Sequence, residues 1–135
     1  MASGNPDWVR QMVISVVVNN VPVSPSTAVE RAAGATGRYS GTGQTYQSVA
    51  TWTVATGKVG ELKEILCLSS LYAKTHLKVT AGAIVYATDW IASGALPIIF
   101  EDLKLAAGTV IKVEAQSTDG TGIVVDGVIV GKEIG

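Results

Sequence analysis

From Gly60 to Gly131 the chain is a succession of short β-branched segments cut by glycine turns, a rhythm that suits sheet and little else. Its clearest member is Lys74–Thr80. Thr75, Leu77 and Val79 fall on one face and Lys74, His76 and Lys78 on the other, which is the period of a half-buried strand. Ala81-Gly82 then makes a tight turn into a second strand, Ala83–Thr88. Thr109–Gln116 and Ile123–Val130 flank Asp119–Gly122, where Asp119-Gly120 is a strong reverse-turn pair. The two segments therefore read as a closing hairpin.

The remaining segments of this half fit the same scheme. Gln47–Val54 alternates, with Ala50, Trp52 and Val54 on one face and Thr51 and Thr53 on the other. Glu61–Leu71 is ambiguous. Leu62, Ile65 and Leu66 suit a helix, but Gly60 and Ser69-Ser70 bracket a strand-sized run among strand-like neighbours, and strand is the reading adopted. Asp89–Ala95 reads as a loop carrying Trp90. Leu96–Phe100 contains Pro97, which belongs at a sheet edge or strand start, and Leu103–Leu105 leads to the Ala107-Gly108 turn. About eight short strands with turn signals every 8–12 residues predict an all-β fold, an antiparallel β-sandwich or barrel.

The front of the chain is different. Met1–Asp7 is polar, and Trp8 precedes Met12-Val13-Ile14-Ser15-Val16-Val17-Val18, a strand apolar on both faces. Such a strand is either a central strand of its own domain or an arm laid across a neighbour's sheet edge. Pro22 and Pro25 stiffen the link that follows, Ser26 or Thr27 caps a short helix expected over Ala28–Ala33, and Gly34 ends it. From Gly34 to Gln47 the chain is rich in Gly, Thr, Ser and Gln and reads as a long irregular loop. Tyr39 and Tyr46 suit it to docking on a surface. The expected organisation is an N-terminal arm and Gly/Tyr-rich loop over 1–47, then a sandwich body over 48–135.

Composition narrows the partners. Only 16% of residues are charged, against about 25% in ordinary soluble domains, while 47% are hydrophobic and mean hydropathy is +0.36. A surface so poor in charge suits a protein that covers part of itself with a partner. The net charge is −1 and the basic residues are scattered, so no stripe exists to release counterions from a phosphate backbone, and nucleic acid is not expected as a partner. Asn19, Asn20, Pro22, Ser24 and Pro25 interrupt the longest uncharged stretch, Gln11–Val29, well short of the ~20 apolar residues that span a membrane. A signal peptide is a poor fit, because Met12–Val18 is short and Asp7 stands beside Arg10. The expectation is synthesis in the cytoplasm and exit, if any, by assembly or lysis.

Reactive chemistry has few candidates. The lone cysteine, Cys67, lies in the apolar run Ile65–Leu68 and reads as a small buried hydrophobe. His76, the lone histidine, stands between Lys74 and Lys78, which repel a cation. Asp119 and Asp126 read as turn formers rather than calcium ligands. Glu61, Glu64, Glu101 and Glu114 read as solvated strand-face charges rather than a glycosidase pair. Ala55-Thr56-Gly57-Lys58 lacks the first glycine and the final Ser/Thr of a phosphate loop. No catalytic residue, metal or cofactor is expected, and the chain reads as a non-enzyme. Trp52 and Trp90 leave a carbohydrate-binding sandwich as a further alternative.

The runs Gly60–Ser70, Leu77–Thr80, Phe100–Glu114 and Gly122–Ile134 resemble the small jelly-roll structural modules of tailed phages and related viruses, among them capsid decoration (cement) proteins. The resemblance covers about 75 residues and rests on rhythm rather than on an invariant motif. It implies an eight-stranded jelly-roll-like sandwich, commonly a homotrimer, on the virion surface, seated on the major capsid protein through loops and an N-terminal arm. The residues expected to meet another subunit are Trp8, Met12, Ile14, Val16, Val18, Tyr39 and Tyr46. A self-assembling extracellular filament or surface-layer subunit, held by donor-strand exchange, is the principal alternative.

Overall fold

A computed structural model describes residues 28–135. Eight strands follow one another: β1 (Glu30–Gly41), β2 (Gln47–Thr53), β3 (Val59–Ser69), β4 (Thr75–Ala81), β5 (Ile84–Trp90), β6 (Leu96–Leu105), β7 (Val110–Ser117) and β8 (Ile123–Ile134). A 3-10 turn, Tyr72–Lys74, links β3 to β4. Pairing is nested. β4 pairs with β5, β3 with β6, β2 with β7 and β1 with β8, all antiparallel, as though one long hairpin had been wound up. Winding adds the contacts of β8 with β3 and of β7 with β4. The result is two four-stranded sheets of order β1-β8-β3-β6 and β2-β7-β4-β5, the strand order of a jelly roll.

The core lies between the sheets and follows the alternation of each strand. Thr75, Leu77, Val79 and Ala81 point inward from β4, and Ile111, Val113, Ala115 and Ser117 from β7. From the other sheet Ile123, Val125 and Ile129 of β8 and Leu62, Ile65 and Cys67 of the neighbouring β3 point inward, all essentially buried. The buried hydroxyls are satisfied: Thr75 Oγ1 donates to Leu71 O at 2.7 Å and lies 2.7 Å from Ser69 Oγ. Trp52 crosses from β2 toward Gly60 and Gly131 of the opposite sheet, where the missing side chains make room for its ring.

Three expectations change. The helix over Ala28–Ala33 and the loop from Gly34 to Gln47 are replaced largely by β1, which pairs with β8 along its whole length from Glu30↔Ile134 to Gly41↔Ile123. That pairing satisfies every other backbone group along the strand and outweighs the weak helix preference of a few alanines. The glycines serve backbone approach: a Cβ on Gly34 would lie 2.0 Å from Ile129 O, and one on Gly37 1.9 Å from Val49 O. Residues 30–41 are thus part of the sandwich. The closing hairpin is also not formed. The Asp119-Gly120 turn exists, with Thr121 N donating to Asp119 Oδ1 at 3.1 Å, but it carries the chain from β7 in one sheet to β8 in the other. Finally, Asp89 and Trp90, expected in a loop, end β5.

The ambiguous segment Glu61–Leu71 is strand, almost all of it within β3, and Pro97 lies on β6, an edge strand.

Candidate interaction surface

The two lateral sides of the sandwich are unlike. On one side the edge strands β1 and β2 close on each other through Gly37, whose backbone meets Val49. On the other side the edges β5 and β6 stand apart, and the core spills out between them. Tyr86 of β5 meets Phe100 of β6 edge-to-face, ring centres 4.9 Å apart. Beside them lies a cleft of about 280 Å³ lined by Tyr86, Ala87, Trp90, Leu96 and Ile98. Large apolar side chains of β5 stand open here: Ile84 is 57% exposed, Val85 49% and Trp90 53%.

The edges also differ in protection. Isolated sheet edges are normally blunted by charge, proline or a bulge, because their free N–H and C=O groups template pairing with another chain. β1 carries Glu30, Arg31 and Arg38. β6 carries Pro97, Glu101, Asp102 and Lys104. β5 reads Ile-Val-Tyr-Ala-Thr-Asp-Trp, with one charge near its end, and is exposed along nearly its whole length. Register shifts in the β4–β5 ladder, one at Tyr86 and one between Ala87 and Trp90, bulge the strand, and a left-handed Asp89 (φ 50°) bends its end. Tyr46 holds the bend: its hydroxyl donates to Asp89 Oδ1 and accepts from Asp89 N at 2.8 Å, while Lys78 Nζ sits 5.5 Å from the ring centre. Partial burial and the Asp89 carboxylate both push the Tyr46 phenol pKa above its ordinary value.

Tyr46 and Tyr39, expected to meet another subunit, are thus both engaged within their own chain. The Tyr39 hydroxyl accepts from Gly43 N at 2.9 Å and its ring packs partly against the core. Trp8, Met12, Ile14, Val16 and Val18 lie outside the described residues. Trp52, weighed as a sugar platform, is buried in the core and cannot serve as one, whereas Trp90 is open at the cleft. The open β5/β6 side was missed in the sequence because Tyr86, Trp90, Ile98 and Phe100 are ordinary core residue types. Only the charge-free run Ile84–Thr88 signals an apolar edge.

The polar side chains have partners of their own. On the outer face of β3, Glu61 is covered by lysines from three strands: Lys104 at 2.8 Å, Lys63 at 3.1 Å and Lys132 at 3.8 Å. Hydrogen bonding, first from Lys104, lowers its pKa from 4.5 to about 2. Lys63 also pairs with Asp102 and Lys132 with Glu30 (3.0 Å), which extends the charges across all four strands of that sheet. Arg38 holds Asp126 through two bonds, at 2.6 and 3.0 Å, and Lys74 holds Asp119 at 2.7 Å. Both aspartates are kept below the usual carboxylate range, by the hydrogen bonds from Arg38 and Lys74 respectively.

Cys67 faces the core from β3 while His76 points outward from β4, its Nδ1 lying 3.3 Å from Gln116 Nε2, so the two do not form a dyad. Burial raises the Cys67 thiol pKa to about 11. Among the described residues, no three His, Cys, Asp or Glu side chains converge into a metal-holding group, and no helix is long and apolar enough to cross a membrane. The chain matches no protein-family model and no curated protein sequence.

Proposed function

We propose that the protein is a structural virion component, a capsid decoration (cement) subunit. In this reading it associates with copies of itself as a trimer or larger homo-oligomer and reinforces the major capsid protein shell through its N-terminal segment and loops. The observation that carries the proposal is the open β5/β6 side: an apolar lip with Ile84 and Trp90 more than half exposed, on a jelly roll only 16% of whose residues are charged. Exposed apolar surface of this kind marks contacts with other polypeptides more often than reactive chemistry. The outer face of the β1-β8-β3-β6 sheet carries, by contrast, the paired charges around Glu61, with Ile99 and Val130 exposed beside them.

The exposed, apolar β5 edge also favours a second reading, a filament subunit in which each copy completes the sheet of the next. Electron microscopy of the purified protein separates the two. Discrete closed oligomers, with gold-labelled antibody against the protein marking capsids in lysates of producing cells, support decoration. Spontaneous fibres support the filament, and label absent from particles contradicts the virion reading.

A further inference from the structure

We infer that the outer face of the β1-β8-β3-β6 sheet is a second interface, on which two copies of the chain pack face to face about a two-fold axis running along the strands. The inference rests on the register of that sheet and not on the virion reading. Residues paired across neighbouring strands share a face, so each set of partners forms a row across the sheet. Two adjacent rows make a largely apolar band: Gly34, Val130, Glu64 and Ile99, then Thr36, Val128, Leu66 and Pro97. Glu64 is its only charge. Rows of paired charge border the band, with Lys132, Glu61 and Lys104 on one side and Arg38 with Asp126 on the other. An apolar centre inside a polar rim is the anatomy of a protein interface.

The band is complementary to itself. Ile99, 74% exposed, stands out from β6 at one end of its row. At the other end of the same row Gly34 has no side chain, and a shallow hollow of about 460 Å³ opens there, with Ala32, Thr36, Val128 and Val130 around it. A two-fold axis between β8 and β3 sets β1 of one copy over β6 of the other, and β8 over β3. Ile99 of each copy then enters the Gly34 hollow of the other, and Leu66 meets Val128. The same operation lays Lys132 over Glu61 of the second copy, charge against opposite charge, and one row from that copy's Glu64. The area suffices. Four strands of ten to twelve residues present a face of about 19 by 35 Å, close to the ~800 Å² that each partner gives to a stable interface.

Native mass spectrometry and hydroxyl-radical footprinting of the full chain test the pairing. Ile99→Asp changes an exposed side chain, so the melting temperature of the subunit should hold. The particle mass should nevertheless halve, and Leu66 and Val128 should oxidise several-fold faster. Ile99→Leu should keep the original mass and shielding. Trp90→Asp, on the β5/β6 side, should leave two copies paired. The inference is overturned if Ile99→Asp leaves the mass unchanged, or if the unsubstituted chain is a single copy at every concentration. It is also overturned if Leu66 and Val128 are already shielded in a single-copy particle, because another part of the chain then covers the face. Pairing that survives Trp90→Asp but not Ile99→Asp upholds the contact whatever becomes of the virion reading. The reverse pattern overturns it and leaves the β5/β6 side as the surface that binds.

Discussion

The indole of Trp52 packs against Gly131 so closely that a Cβ built on the glycine would lie 2.8 Å from two ring carbons and 2.6 Å from Glu61 O. This contact ties the two sheets together at the end of the sandwich where β8 finishes. Glu133 secures the ring's edge, accepting from Trp52 Nε1 at 3.3 Å and from Ala55 N at 2.8 Å. Gly131→Ala forces either the ring or the β3 backbone to move. Overpacking of this kind costs about 1–3 kcal/mol, and chemical denaturation should show a loss of that size at unchanged m-value. An unchanged midpoint would mean that the ring has another place to go.

Glu61 makes acid stability partly a property of one residue. Its folded-state pKa, about 2, lies below the ordinary 4.5, so its contribution is fully present above pH 4.5 and is lost as pH falls toward 2. The Tm difference between the protein and Glu61→Gln should therefore be largest near neutrality and shrink across that window. Asp119 and Asp126 act in the same direction. A Tm difference independent of pH would contradict the lysine cover as its cause.

Cys67 is buried completely, and burial raises its thiol pKa to about 11. Thiolate is the reactive form, so at pH 8 the folded protein should resist a disulfide-exchange reagent and react fully once denatured. Rapid labelling of the native protein would show that β3 opens in solution.

Tyr46 pins the bend at the end of β5 through Asp89. Tyr46→Phe leaves the ring under Lys78 but removes both hydrogen bonds. The expected stability loss is small, about 1 kcal/mol, while exchange at the Asp89 amide should accelerate selectively. A global loss of protection would instead make Tyr46 a general support of the β2-β7-β4-β5 sheet.

How much of this was legible depended on whether a strand carried one buried face. β4 and β7 announce themselves because Leu77 and Val113 sit in strict alternation with polar residues, and β2 because Trp52 stands between Thr51 and Thr53. β1 did not, since Ala32–Gly37 is small on both faces and its glycines resemble a loop. Their role, letting β8 and β2 approach closely, is a property of the neighbours. The Asp119-Gly120 turn was legible as a turn, yet which sheet the chain enters next is decided by partners far away in sequence, β1 and β3 for β8. The open side was hidden for a related reason. Nothing local distinguishes Tyr86 and Phe100 at an uncovered edge from the same residues in a closed core.

The proposed function holds that the β5/β6 side, open among the described residues, is covered by another copy when the protein assembles. The mass of the native particle tests this directly. Native mass spectrometry of the full chain should give a closed homo-oligomer, an integer multiple of 13.9 kDa. A 13.9 kDa particle at every concentration for the unsubstituted chain would contradict it.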